Sequence, residues 1–356
     1  MTTRELWILG GTGRIGRAVA RILDAESNVP IVLVGRHRGR LDDVSTSLAR
    51  PARVVVSDSP ASIADLIRAQ RPAVVVNTLG SYADSGAPIA RACMPGGHYV
   101  DLANDLTSLP ALLDLHDEAV AADSTLVTGA GFGVLGTEAA VAKLCEGRTT
   151  PKSVRVDALG SVDTEAGLLG PAFAASIIDV FTTGGRQYRD GRVVATRLGS
   201  PALRVTAPDG STVPCAGSPS GELVAAHLVS RAPDVVATSA LIPTSPAFRA
   251  VLPVAGVLLK IGAVRRILAK RLAGVRLSAK PRPRPHSWGH AVAEWPDGVR
   301  RECWLQAGEA MDFTATVTAL VAARLADGQA PTGAYTPAGA FGAELAVDAG
   351  GEFILQ

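Results

Sequence analysis

Cysteine is scarce: only Cys93, Cys145, Cys215 and Cys303 occur among 356 residues, widely scattered and with no CxxC pair. That spacing excludes a disulfide framework and an all-cysteine metal site, and it points to a reducing compartment. Aromatic residues make up 4% of the chain, too few for base-stacking platforms, and a net charge of +2 gives no global field for nucleic acid. No uninterrupted apolar run reaches the ~18 residues of a membrane span. The longest candidate, Val251–Val264, is broken by Pro253 and Lys260. The apolar run ahead of the first glycines is only four residues, too short for a signal-peptide core, so a cytoplasmic protein is expected. Lysine is rare too: 30 of the 35 basic residues are Arg, which makes any single arginine less informative. What remains, 47% apolar and 19% charged, is an ordinary globular balance, and the length suits two domains.

Up to about residue 145, short apolar runs alternate with helical patterns. The runs are Leu6–Leu9, Ile31–Val34, Val54–Val56, Ala73–Val76, Tyr99–Val100 and Leu126–Val127. Between them Ile15–Leu23, Leu41–Leu48, Ile63–Ala69, Pro88–Cys93 and Ala111–Ala121 read as helices. This grammar predicts an α/β fold, an N-terminal Rossmann domain with a doubly wound parallel sheet buried on both faces. After Pro151 the grammar changes. Ser153–Leu159 reads as a strand and Pro171–Phe181 as a helix, and Asp-Gly turns at 189–192, 208–211 and 296–299 signal hairpins. A second α+β domain on a mixed or antiparallel sheet is expected. The expected division is 1–135, with 336–356 packing back on it, and 136–335 for substrate binding and dimerisation.

Gly10-Gly11-Thr12-Gly13-Arg14-Ile15-Gly16 directly follows the first strand and opens the first helix. Glycines allow a tight turn and close approach to a pyrophosphate, and the helix N-terminus offers free N–H groups. Gly10, Thr12, Gly13, Arg14, Ile15 and Gly16 are therefore candidate dinucleotide ligands. An NAD site would place an acid after the second strand; this chain has Arg36, followed by His37 and Arg38. A guanidinium there suits a 2′-phosphate, a contact worth about 1.5–3 kcal/mol, or roughly 10–100-fold in affinity. The expected cofactor is NADP, taken up as NADPH. Asp58, just past the third strand, is assigned to the adenine side or to a helix cap.

Ligands of such a sheet lie at the carboxyl ends of the strands, where strand order reverses. The loop after strand four (Asn77, Thr78, Leu79, Gly80) and Asn104 after strand five are candidate cofactor contacts. Tyr82, Asp101 and Glu138 are the candidate catalytic groups. Each also has a structural reading: Tyr82 as packing on cofactor, Asp101 as a helix cap, Glu138 as a first-turn acid.

The block VVNTLGSYADSGAPIARACMPGGHYVDLAND resembles the NADP-binding domain of saccharopine dehydrogenase-like oxidoreductases. The stretches at 184–194 and 331–345 are similar to members of that family as well, in the subgroup that includes trans-acting enoyl reductases of lipid assembly. The resemblance implies an N-terminal Rossmann domain, a mixed second domain that often dimerises, hence a homodimer, and a C-terminal segment folding back on the first domain.

Other constellations are missing. No tyrosine is followed four residues later by lysine, so the short-chain dehydrogenase pair is absent, and 217–221 puts proline where a nucleophile elbow needs serine. His286 and His290 stand four apart after a proline tract without an evident third ligand, so no metal centre is expected. From Val235 to Ala293 there is no acidic residue, and ten cations lie between Arg249 and Arg284. Val254, Val257, Leu258, Ile261, Val264 and Leu268 fall at helical spacing there. Peripheral membrane or acyl-chain contact through 250–284 is one reading; a helix packed on the second domain with a solvated basic face is the other. The combined expectation is an NADPH-dependent reductase of a C=C or C=N bond in a small, apolar, lipid- or polyketide-like substrate. The alternatives are a non-catalytic NADP(H)-sensing protein and a saccharopine-type amino-acid dehydrogenase.

Overall fold

The strands of the first sheet are continuous apolar runs because both of their faces are covered. Leu6, Trp7, Ile8 and Leu9 are all essentially inaccessible to solvent. The computed structural model of the protein describes residues 3–245, 259 and 261–356. They form two units, one of Met1–Ala103, Thr107–Gly131 and Met311–Phe341, the other of Asn104–Leu106, Phe132–Ala310 and Gly342–Gln356.

The first unit runs β1 (Thr3–Leu9), α1 (Arg14–Glu26), β2 (Ile31–Gly35), α2 (Arg38–Thr46), β3 (Arg53–Val56), α3 (Pro60–Gln70), β4 (Pro72–Asn77), α4 (Tyr82–Cys93), β5 (His98–Asp101), α5 (Ser108–Leu113), α6 (His116–Ala121) and β6 (Thr125–Val127). A seventh strand, β17 (Gly333–Tyr335), completes it. All pairings are parallel, in the order β17-β6-β5-β4-β1-β2-β3. Strand order reverses between β1 and β4, the switch point of a doubly wound sheet. Trp7, Leu9, Val32, Val34, Ile63, Ile67, Ile89 and Leu126 share one core cluster. The helix expected over Ala111–Ala121 is two helices instead. The backbone leaves helical geometry at Leu115 (ψ 6°), which is buried in that core.

In the second unit α7 (Phe132–Cys145) leads into β7 (Ser153–Leu159), β8 (Gly167–Leu168), α8 (Pro171–Thr183), β9 (Gly185–Arg189), β10 (Arg192–Thr196), β11 (Ala202–Thr206), β12 (Thr212–Gly217), α9 (Gly221–Ser230) and β13 (Asp234–Ser239). Beyond the undescribed stretch come α10 (Gly262–Ala273), β14 (Arg276–Leu277), β15 (Ser287–Glu294) and β16 (Arg300–Ala307). The nine-stranded sheet is mixed, because β13 runs parallel to β7 while its other pairings are antiparallel. Each expected Asp-Gly turn closes a hairpin; in the first, Asp190 (φ 49°) and Gly191 (φ 71°) take the left-handed pair that a two-residue turn needs. Val154 and Val156 of β7 pack with Ala140, Val141 and Leu144 of α7 and Leu223 and Ala226 of α9.

The C-terminal return differs from expectation. Residues 311–341 rejoin the first unit through α11 (Ala310–Ala326), β17 and α12 (Pro337–Phe341). β17 satisfies the open edge of β6, with Gly333 N donating to Ser124 O and Thr128 N to Tyr335 O. The last residues stay with the second unit through α13 (Leu345–Asp348) and β18 (Glu352–Leu355), which pairs with β16 and packs Phe353 against the second core. Of the basic stretch, Val254, Val257 and Leu258 lie outside the described residues.

Candidate functional site

The glycine loop is built by close approach. Gly10 has φ 78°, and a Cβ on it would sit 2.7 Å from Thr78 Oγ1. At Gly16 a Cβ would run into the Gly10 carbonyl oxygen, so only glycine lets α1 start this near the loop. Gly13 caps α1 with extended backbone and no side-chain hydrogen bond, and the first turn holds no acid. The start of this helix carries the positive dipole end, which attracts an anion. Arg17 Nη1 donates to Thr12 O at 2.7 Å and braces the loop. Thr78 Oγ1 donates to Leu9 O at 2.7 Å, fastening the β4 loop to the end of β1 at the switch point.

β2 ends at Gly35, and Arg36, His37 and Arg38 follow, all exposed. Arg38 pairs with Asp42 at 3.6 Å. Arg36 has no ion pair among the described residues and is free for a phosphate. Asp58 is exposed beyond β3, and the cap of α3 is the next residue: Ser59 Oγ accepts from Ser62 N at 3.2 Å. The capping alternative for Asp58 is thus taken by Ser59, whose hydroxyl stands immediately before the helix.

A buried polar network joins the carboxyl ends of β4, β5 and β6. Asp101 Oδ2 accepts from the Tyr99 hydroxyl at 2.9 Å, and Oδ1 accepts from Thr128 Oγ1 at 2.7 Å, Ala103 N at 3.0 Å and Gly129 N at 3.3 Å. Asn77 Nδ2 donates to Tyr99 Oη at 3.0 Å, while its Oδ1 accepts from Leu79 N at 3.1 Å. Burial pushes the Asp101 carboxyl up, against the pull of these donors, and burial together with the Asp101 charge holds the Tyr99 phenol well above its ordinary range. Asp101 and Asn77 therefore shape the loops, their polar atoms being engaged within the unit. Leu79 is half-buried, Gly80 (φ 72°) and Ser81 (φ 47°) turn the chain, and half-buried Tyr82 opens α4. The sequence reading missed Tyr99. Its signal was the i, i+2 spacing from Asp101 on one strand, which puts both on the same face.

In the second unit Asn104 caps the start of α9. Its Oδ1 accepts from Gly221 N at 2.8 Å, and its Nδ2 donates to Glu222 Oε1 at 3.0 Å. A Cβ on Gly133 would lie 2.7 Å from Asn104 Nδ2 and 2.8 Å from Glu222 Oε1, so glycine leaves room for the pair. Glu222 is 5% exposed, and its Oε2 has no hydrogen-bond partner among the described residues. Asn104 thus spends its amide on α9. Glu138 is fully buried and lies seven residues into α7, too far along to be a first-turn acid. His290 stands between Asp157 (Nδ1 to Oδ2, 2.8 Å) and Glu302 (Nε2 to Oε2, 3.1 Å) and stacks on Trp304 at 3.7 Å. His286 accepts from Gln306 instead of sharing a centre with His290.

Order of strands, switch point and glycine loop define a Rossmann dinucleotide-binding domain. More narrowly, residues 6–127 match the saccharopine dehydrogenase NADP binding domain, which indicates NADP(H) binding. The chain is similar to the trans-acting enoyl reductase of Mycobacterium leprae, 31% identical over 134 residues, which cover 36% of this chain and 32% of the relative. The enzyme of the same description from Mycobacterium ulcerans is 32% identical over 136 residues, 36% of this chain and 32% of that one. The match spans about a third of the length of these curated relatives. Saccharopine dehydrogenase (L-Glu forming) from Saccharomyces cerevisiae shares the fold over 99% of this chain and 100% of its own, with a TM-score of 0.62 at 12% identity.

Proposed function

We propose that the protein is an NADPH-dependent reductase of a C=C or C=N bond in a small apolar, lipid- or polyketide-like substrate. The observation that carries this reading is the glycine loop opening onto an α1 without a side-chain cap, with Arg36, which makes no ion pair among the described residues, at the end of β2. The name of the curated relatives favours the enoyl group over the imine. The cofactor, when bound, supplies a hydride. Gly10, Thr12, Gly13, Arg14, Ile15 and Gly16 hold the pyrophosphate by backbone N–H groups and the dipole of α1. Arg36, with His37 and Arg38 beside it, holds the 2′-phosphate, and Asp58 borders the adenine side. Asn77, Thr78, Leu79 and Gly80 keep the β4 loop in its turned shape. Tyr82 is the candidate proton donor of the first unit, and Asp101, whose oxygens accept four hydrogen bonds, holds the ends of β5 and β6 beside it. Glu138 stays a candidate in the second unit, and the open Glu222 Oε2 offers an acceptor to a substrate N–H or O–H. Cytoplasmic location and a homodimer remain part of the proposal.

The test is loss of NADPH absorbance with enoyl thioesters and cyclic imines, using the wild type and Tyr82→Phe. Substrate-dependent oxidation, lowered in the variant with unchanged NADPH affinity, is the expected result. Tight NADPH binding with no turnover on either class contradicts it and favours an NADP(H)-sensing protein.

A further inference from the structure

We propose that the face formed by α10 and the β8–β14 ribbon docks on an anionic lipid surface. α10 carries Val264, Ile267, Leu268 and Arg271 at i, i+3, i+4 and i+7, so they share one stripe. Helices of a soluble unit bury such a stripe, yet no residue of α10 is buried. Ile267 is 60% exposed, and Ile261, Val264 and Leu268 are exposed as well. Leu168 of β8 and Val275 just before β14 add exposed apolar surface beside it, held together by Leu169 N donating to Val275 O at 2.9 Å.

The charge says what covers this face. Arg265, Arg266, Lys270, Arg271, Arg276, Lys280, Arg282 and Arg284 lie on or directly after α10, and no acid occurs anywhere between Val235 and Ala293. The acids on the elements packed against it are Asp179 of α8, which pairs with Arg265 at 2.9 Å, and Asp163 and Glu165 opposite Lys280. Arg266, Lys270, Arg271, Arg276, Lys280 and Arg282 make no ion pair among the described residues. Apolar side chains between unpaired cations match the interface of an anionic bilayer, where the stripe enters the acyl boundary and the cations meet headgroup phosphates. An acyl substrate held by such a surface would reach the protein without crossing water, which extends the lipid-like substrate class proposed above and depends on that class alone, since docking itself needs no turnover.

The experiment is sedimentation of the full chain with vesicles of phosphatidylcholine alone or with phosphatidylglycerol added, at low and high salt. The expected result is binding only to the phosphatidylglycerol vesicles, weakened by salt. Arg266→Gln with Lys270→Gln should lower binding about 30-fold, as expected for two cations, and Ile267→Glu should abolish it. All three side chains are exposed, and unchanged thermal unfolding and NADPH affinity report that the variants fold. Protein left in the supernatant with both vesicle types overturns the proposal. So does vesicle binding equal in wild type and variants, or a change in oligomeric state by Ile267→Glu without any vesicle effect, which would make this face an interface between copies. Vesicle binding without NADPH turnover would sink the reductase reading and leave this one standing.

Discussion

The Tyr99 hydroxyl donates to Asp101 Oδ2 at 2.9 Å, with both side chains buried and two residues apart on β5. The phenol is also the acceptor for Asn77 Nδ2, so one oxygen links the ends of β4 and β5. Tyr99→Phe removes the hydrogen bond to the buried Asp101 Oδ2 and leaves the buried Asn77 amide only its longer contact with Ser85 Oγ at 3.4 Å. The expected cost is about 1–3 kcal/mol of stability, read from urea unfolding. A loss near zero would mean that water or a neighbour replaces the hydroxyl.

Gly16→Ala places a methyl group against the Gly10 carbonyl. α1 must move away from the loop, which costs about 1–3 kcal/mol and spoils the N–H cradle. NADPH affinity, measured calorimetrically, should drop sharply while the second unit stays folded by circular dichroism. Unchanged affinity would show that the loop tolerates side chains and does not approach the pyrophosphate.

Asp157 gives a pH signature. Burial raises its pKa, but the His290 hydrogen bond, the Arg155 and His290 charges and the Thr238 hydroxyl outweigh that and hold it below the usual carboxylate range. A folded pKa below the unfolded value near ~3.9 contributes stability that is complete above that value and lost as pH falls through the folded pKa. Asp101, raised by burial, acts with the opposite sign. Asp157→Asn should therefore flatten the acid limb of unfolding free energy below about pH 4, the range in which the wild-type contribution is lost. An unaltered acid limb would contradict the assignment.

The thiols should be silent in the native state. Burial pushes Cys145 up to about 11 and Cys215 and Cys303 up to about 12, and it raises Cys93 further. Thiolate is the reactive form. A chromogenic disulfide reagent near neutral pH is expected to titrate essentially no cysteine before denaturant and all four afterwards. A fast-reacting native thiol would show that one of these sites opens.

Much of the first unit was legible because its information is local. Leu6–Leu9 and Val74–Val76 are uninterrupted apolar runs, the mark of strands covered on both faces, and Gly10–Gly16 names its own turn. The Asp-Gly hairpins were readable for the same reason. Partnerships across long separations were not. Asn104 meets Glu222 118 residues away, and His290 meets Asp157 133 away, and nothing in either local pattern announces the other. β17 is three residues, Gly333–Tyr335, with no apolar run, and its identity as a strand comes from the open edge of β6. Asp101 was legible as a polar group at the end of β5, but not its hydrogen bonds to Thr128 and Gly129, which lie 27 and 28 residues away.

The most direct test of an NADP(H)-dependent protein is calorimetric titration of NADPH and NADH into the wild type and Arg36→Asp. NADPH should bind the wild type roughly 10–100-fold more tightly than NADH, and the variant should lose that preference because a carboxylate would repel the 2′-phosphate. Equal affinity for the two cofactors in the wild type, or a preference that survives Arg36→Asp, would contradict the role of Arg36; binding of neither would remove the cofactor reading altogether.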